Sequence, residues 1–164
     1  MDFLQQLQHF TKGEIQQGKW MIGIAVVLFP FAVFLFKTNL SLQKGIVIPV
    51  CLLMLISIAY GGYVLYSKPG HFMKTEKQYH YNPKQALDSE WQKAKSDDKS
   101  YRILKYVWGF CTIVFIILYF VFTKDYYKGL SIGFAGLFFA LLLIDSFFHQ
   151  RLNMYIENLQ KFIN

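Results

Sequence analysis

A bundle of four transmembrane helices is the fold class this sequence predicts, and three observations predict it. Of the 164 residues, 54% are hydrophobic and only 16% are charged, more apolar surface than a core of this size can hide from water. The apolar residues gather into four runs, each long enough to cross or nearly cross a hydrocarbon layer of about 30 Å. Lysines stand at the ends of those runs, where their stems can lie against lipid while the amines reach water. The expectation is an all-α membrane protein. Its four helices form an antiparallel bundle, with a cytoplasmic amphipathic helix between spans two and three and a second amphipathic helix at the C-terminus.

Residues 1–19 are polar, with Phe3, Leu4, Leu7 and Phe10 on one helical face. They predict a short helix lying in the headgroup region, ended near Gly13 and Gly18, or a frayed terminus. The first span is 20–36, bracketed by Lys19 and Lys37. Seventeen residues reach only about 25 Å as a helix, so snorkelling by both lysines is expected to close the gap. Pro30 should kink it. The run lacks a small-residue cleavage pattern and is expected to be retained. Asp2 and the terminal Lys-Phe-Ile-Asn offer no lipidation signal.

The second span, 45–66, has Pro49 near its first turn, and its far end carries Tyr60, Tyr63 and Tyr66 as an interfacial belt. Ser57 and Gly61 form a small-xxx-small pair suited to close helix contact. The long polar segment 67–102 follows. Lys68-Pro69-Gly70 predicts a turn, and no periodicity is visible through Tyr81. Asn82-Pro83 predicts an N-cap with proline at the first helical position. Leu87, Trp91 and Ala94 then repeat at helical spacing over 83–95, a candidate docking stripe. Ser96-Asp97-Asp98 could cap a fresh helix leading into span three; one uninterrupted helix is the competing reading.

The third span is 106–123 and the fourth 129–148, joined by so short a turn that they must be antiparallel neighbours. Gly129, Gly133, Gly136 and Ala140 share one face of span four, which predicts close backbone packing. Asp145 and His149 lie on a different face, shared with Phe134 and Phe138. Residues 150–164 repeat Leu152, Tyr155, Ile156 and Leu159 as an amphipathic helix, suited to the bilayer surface, to packing under the bundle, or to a partner.

Topology follows from counting basic residues. The N-terminus, the 67–102 segment with Lys105, and the C-terminus hold thirteen; the two short turns hold Lys37, Lys44, Lys124 and Lys128. Thirteen against four predicts both termini and the long segment on the cytoplasmic side. The formal charge of +7 is thereby assigned to membrane orientation, and nucleic acid is not expected as a partner.

No His-Glu-x-x-His, Gly-x-Ser-x-Gly or phosphate-binding glycine motif is present, so neither a catalytic residue nor a cofactor is expected. Cys51 and Cys111 lie in separate apolar runs without ligand spacing and predict buried thiols. The polar pair most open to a functional role is Asp145 with His149. Asp145 is expected to pair with Lys105 or Arg102 as a structural tie; a place on an ion or proton path is the alternative. A metal site joining His149 to His71 or His80 matches no ligand spacing. The layout resembles that of small four-span bacterial proteins, including immunity proteins that guard membranes against pore-forming toxins, although no motif is shared with them. The expected function is therefore a non-enzymatic membrane protein acting through protein contacts, with a protein partner or as a homo-oligomer, in a bacterial cytoplasmic membrane. A small oligomeric channel or carrier using Asp145 is the alternative, and a membrane enzyme the third reading.

Overall fold

The computed structural model describes residues 2–163 as four helices, α1 (Phe3–Lys37), α2 (Ser41–Tyr81), α3 (Pro83–Val121) and α4 (Asp125–Ile163). Residues 1 and 164 of the terminal segments lie outside the described residues. All four helices are long and apolar enough to cross a membrane. With 35 to 41 residues each, they run about 52–62 Å, roughly twice a hydrocarbon core. Each therefore has an apolar half and a polar half. The chain joins the halves without a break.

That continuity corrects three expectations. The first 19 residues do not form a separate interfacial helix: α1 starts at Phe3, capped by Asp2, whose carboxylate accepts from the Phe3 amide at 2.7 Å, and runs on through Gly13, Gly18 and Pro30. Lys68-Pro69-Gly70 is not a turn, since α2 continues to Tyr81. Ser96-Asp97-Asp98 caps nothing, because α3 is one helix from Pro83 into the third span. Asn82 does cap α3, accepting from the Gln85 amide at 3.2 Å ahead of Pro83.

Tertiary packing overrides the local breakers. On α1 the inward positions are Phe3, Leu7, Thr11, Glu14, Gly18, Met21 and Ala25, in steps of three or four that average about 3.7, close to the helical repeat of about 3.6 that keeps one face toward a neighbour. On α2 the inward series Gly61, Val64 and Thr75 brackets Pro69, and Phe72 and Tyr79 pack on the same core. The burial gained on both sides of Pro69 offsets the backbone bond it removes.

α2 and α4 form the central pair, α1 packs on α2, α3 packs on α4, and α2 meets α3 only lightly. The start of α1 meets the end of α2, where Phe3 and Tyr79 rings lie 4.9 Å apart. Two glycine contacts set close approaches. Gly18 and Gly61 bring α1 and α2 together, so that a Cβ on Gly18 would stand 3.1 Å from the Gly61 carbonyl; Gly45 and Gly129 do the same for α2 and α4.

The main hydrophobic core lies in the polar half. Phe3, Leu7, Ala94, Leu152, Tyr155 and Leu159 are buried together, with Leu87, Trp91 and Phe72 packed against them. Leu87, Trp91 and Ala94 thus face inward, which corrects the docking stripe: their apolar face is already covered by α1 and α4. The C-terminal residues continue α4 and pack under the bundle. In the apolar half the large side chains point outward instead; Phe120 is 79% exposed and Trp20 66%. Such a surface is stable only where the solvent is itself apolar.

Candidate functional site

The two halves meet at an aromatic joint. The Tyr60 hydroxyl of α2 and the Tyr101 hydroxyl of α3 lie 3.4 Å apart. The Phe148 ring of α4 sits edge-on to Tyr60 at 5.7 Å and stacks on Tyr101 at 6.3 Å. Burial pushes the Tyr101 hydroxyl well above the ordinary phenol range, so it remains a proton donor.

Around this joint the ionisable groups form three sets. In the first, Lys105 Nζ of α3 and His149 Nδ1 of α4 are 2.5 Å apart, and His149 Nε2 meets Asp98 Oδ1 at 2.6 Å. Lysine has only protons to give, so Nδ1 accepts and Nε2 carries the ring proton toward Asp98. Arg102 pairs with the other oxygen of Asp98. The hydrogen bond from His149, more than the nearby Arg102, holds the Asp98 carboxyl below its ordinary value.

In the second set, Trp108 Nε1 donates to Asp145 Oδ2 at 2.7 Å. This corrects the expected tie. Among the described residues, neither Lys105 nor Arg102 forms an ion pair with Asp145, nor does His149 bond to it. Lys105 snorkels toward the polar half and finds His149 there, leaving the deeper carboxylate to the neutral indole donor. Asp145 still faces α3, alongside Phe138, which stacks on Trp108.

The third set lies in the polar half. Glu14 of α1 pairs with Lys68 of α2, and burial raises its carboxyl despite the lysine. Glu90 of α3 accepts from His71 Nε2 at 2.9 Å and from the Tyr155 hydroxyl at 3.3 Å. Burial alone would raise Glu90, but the His71 hydrogen bond and charge, with help from Lys93 and Tyr155, bring it below its ordinary value.

Opposite linkage follows for the two acids. A lowered carboxyl such as Glu90 contributes stability that is full above the unfolded value of about 4.5 and is lost as pH falls through the folded value. A raised carboxyl such as Glu14 contributes at low pH and loses that contribution as pH rises. Glu90→Gln is therefore expected to flatten the decline in melting temperature on the acid side, whereas Glu14→Gln should not. Thermal unfolding in micelles from pH 3 to 8 checks this; an unchanged acid limb in Glu90→Gln would refute the assigned role.

Where α2 and α3 diverge, a cleft of about 650 Å³ opens beside the joint. Its inner wall is apolar, with Met21, Ile56, Leu104, Leu141, Ile144 and Trp108. Its outer wall is polar, with Ser67, Lys68, His71, Lys93, Asp97 and Ser100. Asp145 lies at the inner end. Among the described residues Lys93 and Asp97 form no ion pair, and no group of three His, Cys, Asp or Glu is placed to hold a metal ion. His71 and His149 belong to different sets, and His80 is exposed at the end of α2.

The small residues divide as well. Ser57 is fully buried and Gly61 abuts Gly18. Gly129 abuts Leu42 and Gly133 meets the Pro49 ring, both on α2, but Gly136 has open space beside it and Ala140 is half-buried. Sequence reasoning missed Glu14, Glu90, Lys68 and Tyr155. The signal was available for Glu14, which sits in register with Leu7 and Gly18.

The fold and the boundary cleft together define an all-helical protein with four helices able to cross a membrane. Comparison with protein-family models, curated proteins and solved structures finds no match.

Proposed function

We propose that this chain is a non-enzymatic integral membrane protein that works by contact with other proteins, as an accessory subunit or in the manner of an immunity protein. The observation that carries the reading is the cleft between α2 and α3. It is apolar toward the spans and polar beyond them, and it offers Lys93 and Asp97, which among the described residues have no ion-pair partner. A partner segment that leaves a membrane and turns polar matches both walls. Other ionisable groups near the joint support the reading, since Lys68 with Glu14, His71 with Glu90 and His149 with Asp98 are spent on one another across helices.

The proposed setting is a bacterial cytoplasmic membrane, with an antiparallel bundle and the polar half inside. Thirteen basic residues against four support that orientation. So does the shared core of Phe3, Tyr79, Leu87 and Leu159, which draws both chain ends and the α2–α3 turn to one end of the bundle.

A photoreactive amino acid at Ser100, inside the cleft, is expected to crosslink one discrete partner in native membranes, and that partner should co-purify in mild detergent. Ser100→Trp, which fills the cleft, should cut its recovery severalfold while leaving thermal stability intact. A reporter fused at Asn82 should read cytoplasmic. Recovery of the bare chain alone, or a reporter on the outer side, would sink the reading.

A further inference from the structure

A second cavity, separate from the α2–α3 cleft, lies between α1 and α4 in the polar half and measures about 570 Å³. Its lining holds His9, Lys12 and Arg151 and no carboxylate. That one-sidedness is unlike the first cleft, where Asp97 and Asp145 stand with Lys68, His71 and Lys93. Arg151 is also incompletely partnered: its Nη1 is buried without a hydrogen-bond acceptor, and among the described residues Arg151 forms no ion pair. A buried guanidinium nitrogen left bare is costly, because it has lost water and gained nothing in exchange.

The backbone makes room for that group. A Cβ on Gly13 would collide with the Arg151 Nη1 and Cζ atoms, so glycine at this position lets the guanidinium lie flat against α1. Beside it, Phe10 and Tyr155 stack face to face with centroids 4.1 Å apart, giving the cavity a rigid aromatic side. Gln16 adds a neutral amide to the lining. The Lys12 amine, an imidazole and an amide, grouped with a guanidinium that has one unmatched nitrogen, suit a dianionic oxyanion. The volume is far larger than the few tens of Å³ that a water or small ion fills, which calls for an organic body behind the anion.

We propose that the α1–α4 cavity binds a phosphate monoester, with Arg151 and Lys12 on its oxygens. The same chemistry is presented by a soluble phosphorylated metabolite and by the headgroup of phosphatidic acid. The inference does not depend on the contact function assigned to the α2–α3 cleft.

The test uses the full chain. Titration of AMP into the protein in lipid-free detergent micelles measures the soluble arm, with inorganic phosphate as competitor. Thermal stability in phosphatidylcholine nanodiscs with and without phosphatidic acid measures the lipid arm. Saturable binding in the first arm, or specific stabilisation in the second, supports the site and names the source. Arg151→Gln should weaken the responding arm at least about tenfold, and Arg151→Lys should restore part of the loss, since charge returns without the fork. Gly13→Ala should weaken it too with no change in charge, which keeps the test decisive if an Arg151 variant folds poorly. No response to AMP, phosphate or phosphatidic acid, or a response unchanged in both Arg151→Gln and Gly13→Ala, overturns the proposal.

Discussion

Leu7→Ala is expected to cost about 2–5 kcal/mol of unfolding free energy, the range for removing a fully buried leucine and leaving a cavity. Leu7 is 0% exposed and packs in the polar half with Phe3, Tyr155 and Leu159. There the alternative to burial is water, so each methylene removed from the core forfeits its transfer free energy. Phe120→Ala is the contrast. Phe120 is 79% exposed in the apolar half, where its surroundings are lipid in both the associated and the separated helices, and its loss should barely change bundle stability. Thermal unfolding in micelles separates the two, and proteolysis locates the effect: Leu7→Ala should open cleavage in the first fifteen or so residues of α1, because their burial ends the fraying expected of a terminus. Equal stability of the two variants would mean that the polar half is not a packed bundle.

The same division explains how much of the molecule could be read from its sequence. Hydropathy marks the four spans, because lipid-facing residues such as Val26, Phe34 and Phe110 are apolar and exposed. It is blind to the extensions beyond them. Thr11, Glu14, Thr75 and Glu90 are buried at helical spacing, yet their polarity hides the period that their spacing carries. At Pro69-Gly70 the local signal for a turn is real, but Lys68–Glu14 and Phe72 anchor α2 on either side and the helix runs through. The face presented by Leu87, Trp91 and Ala94 was legible as apolar and one-sided; that its cover comes from this chain depends on the N- and C-terminal residues returning to it.

The polar groups were legible as a set and illegible as pairs. Asp145 and His149 stand one turn apart and near α3, as their helical phase implies. Which of them takes Lys105 depends on the direction of a flexible side chain, and the lysine extends toward water. The basic cavity around Arg151 left still less trace, because His9 and Lys12 are separated from Arg151 by most of the chain length and meet it only through the α1–α4 contact.

Gly129→Val is expected to break the central helix pair. A Cβ on Gly129 would run into the carbonyl oxygen, carbonyl carbon and Cα of Leu42, and one on Gly45 would meet the backbone of Tyr126, Gly129 and Leu130. Both obstacles are main chain, so no side chain can rotate aside, and the helices must separate. Overpacking of this kind costs about 1–3 kcal/mol when neighbours can adjust, and the rigid contact here places Gly129→Val at or above the top of that range. Gly136→Ala is the internal control: it belongs to the same small-residue stripe, but a Cβ there meets nothing within 4 Å, and alanine favours the helix by up to about 1 kcal/mol. The expected pattern is a large fall in melting temperature for Gly129→Val and no fall for Gly136→Ala. α3 should stay on α4 in both, since Trp108, Phe115, Phe134 and Phe138 join those helices on a different face. With Trp20 and Trp91 changed to phenylalanine, Trp108 fluorescence reports that contact alone. If both glycine variants lose stability alike, the stripe acts as a whole and the backbone contact at Leu42 is not what sets the α2–α4 distance. If only Gly129→Val falls and Trp108 is undisturbed, the bundle comes apart between α2 and α4, and the small residues that matter are those facing main chain.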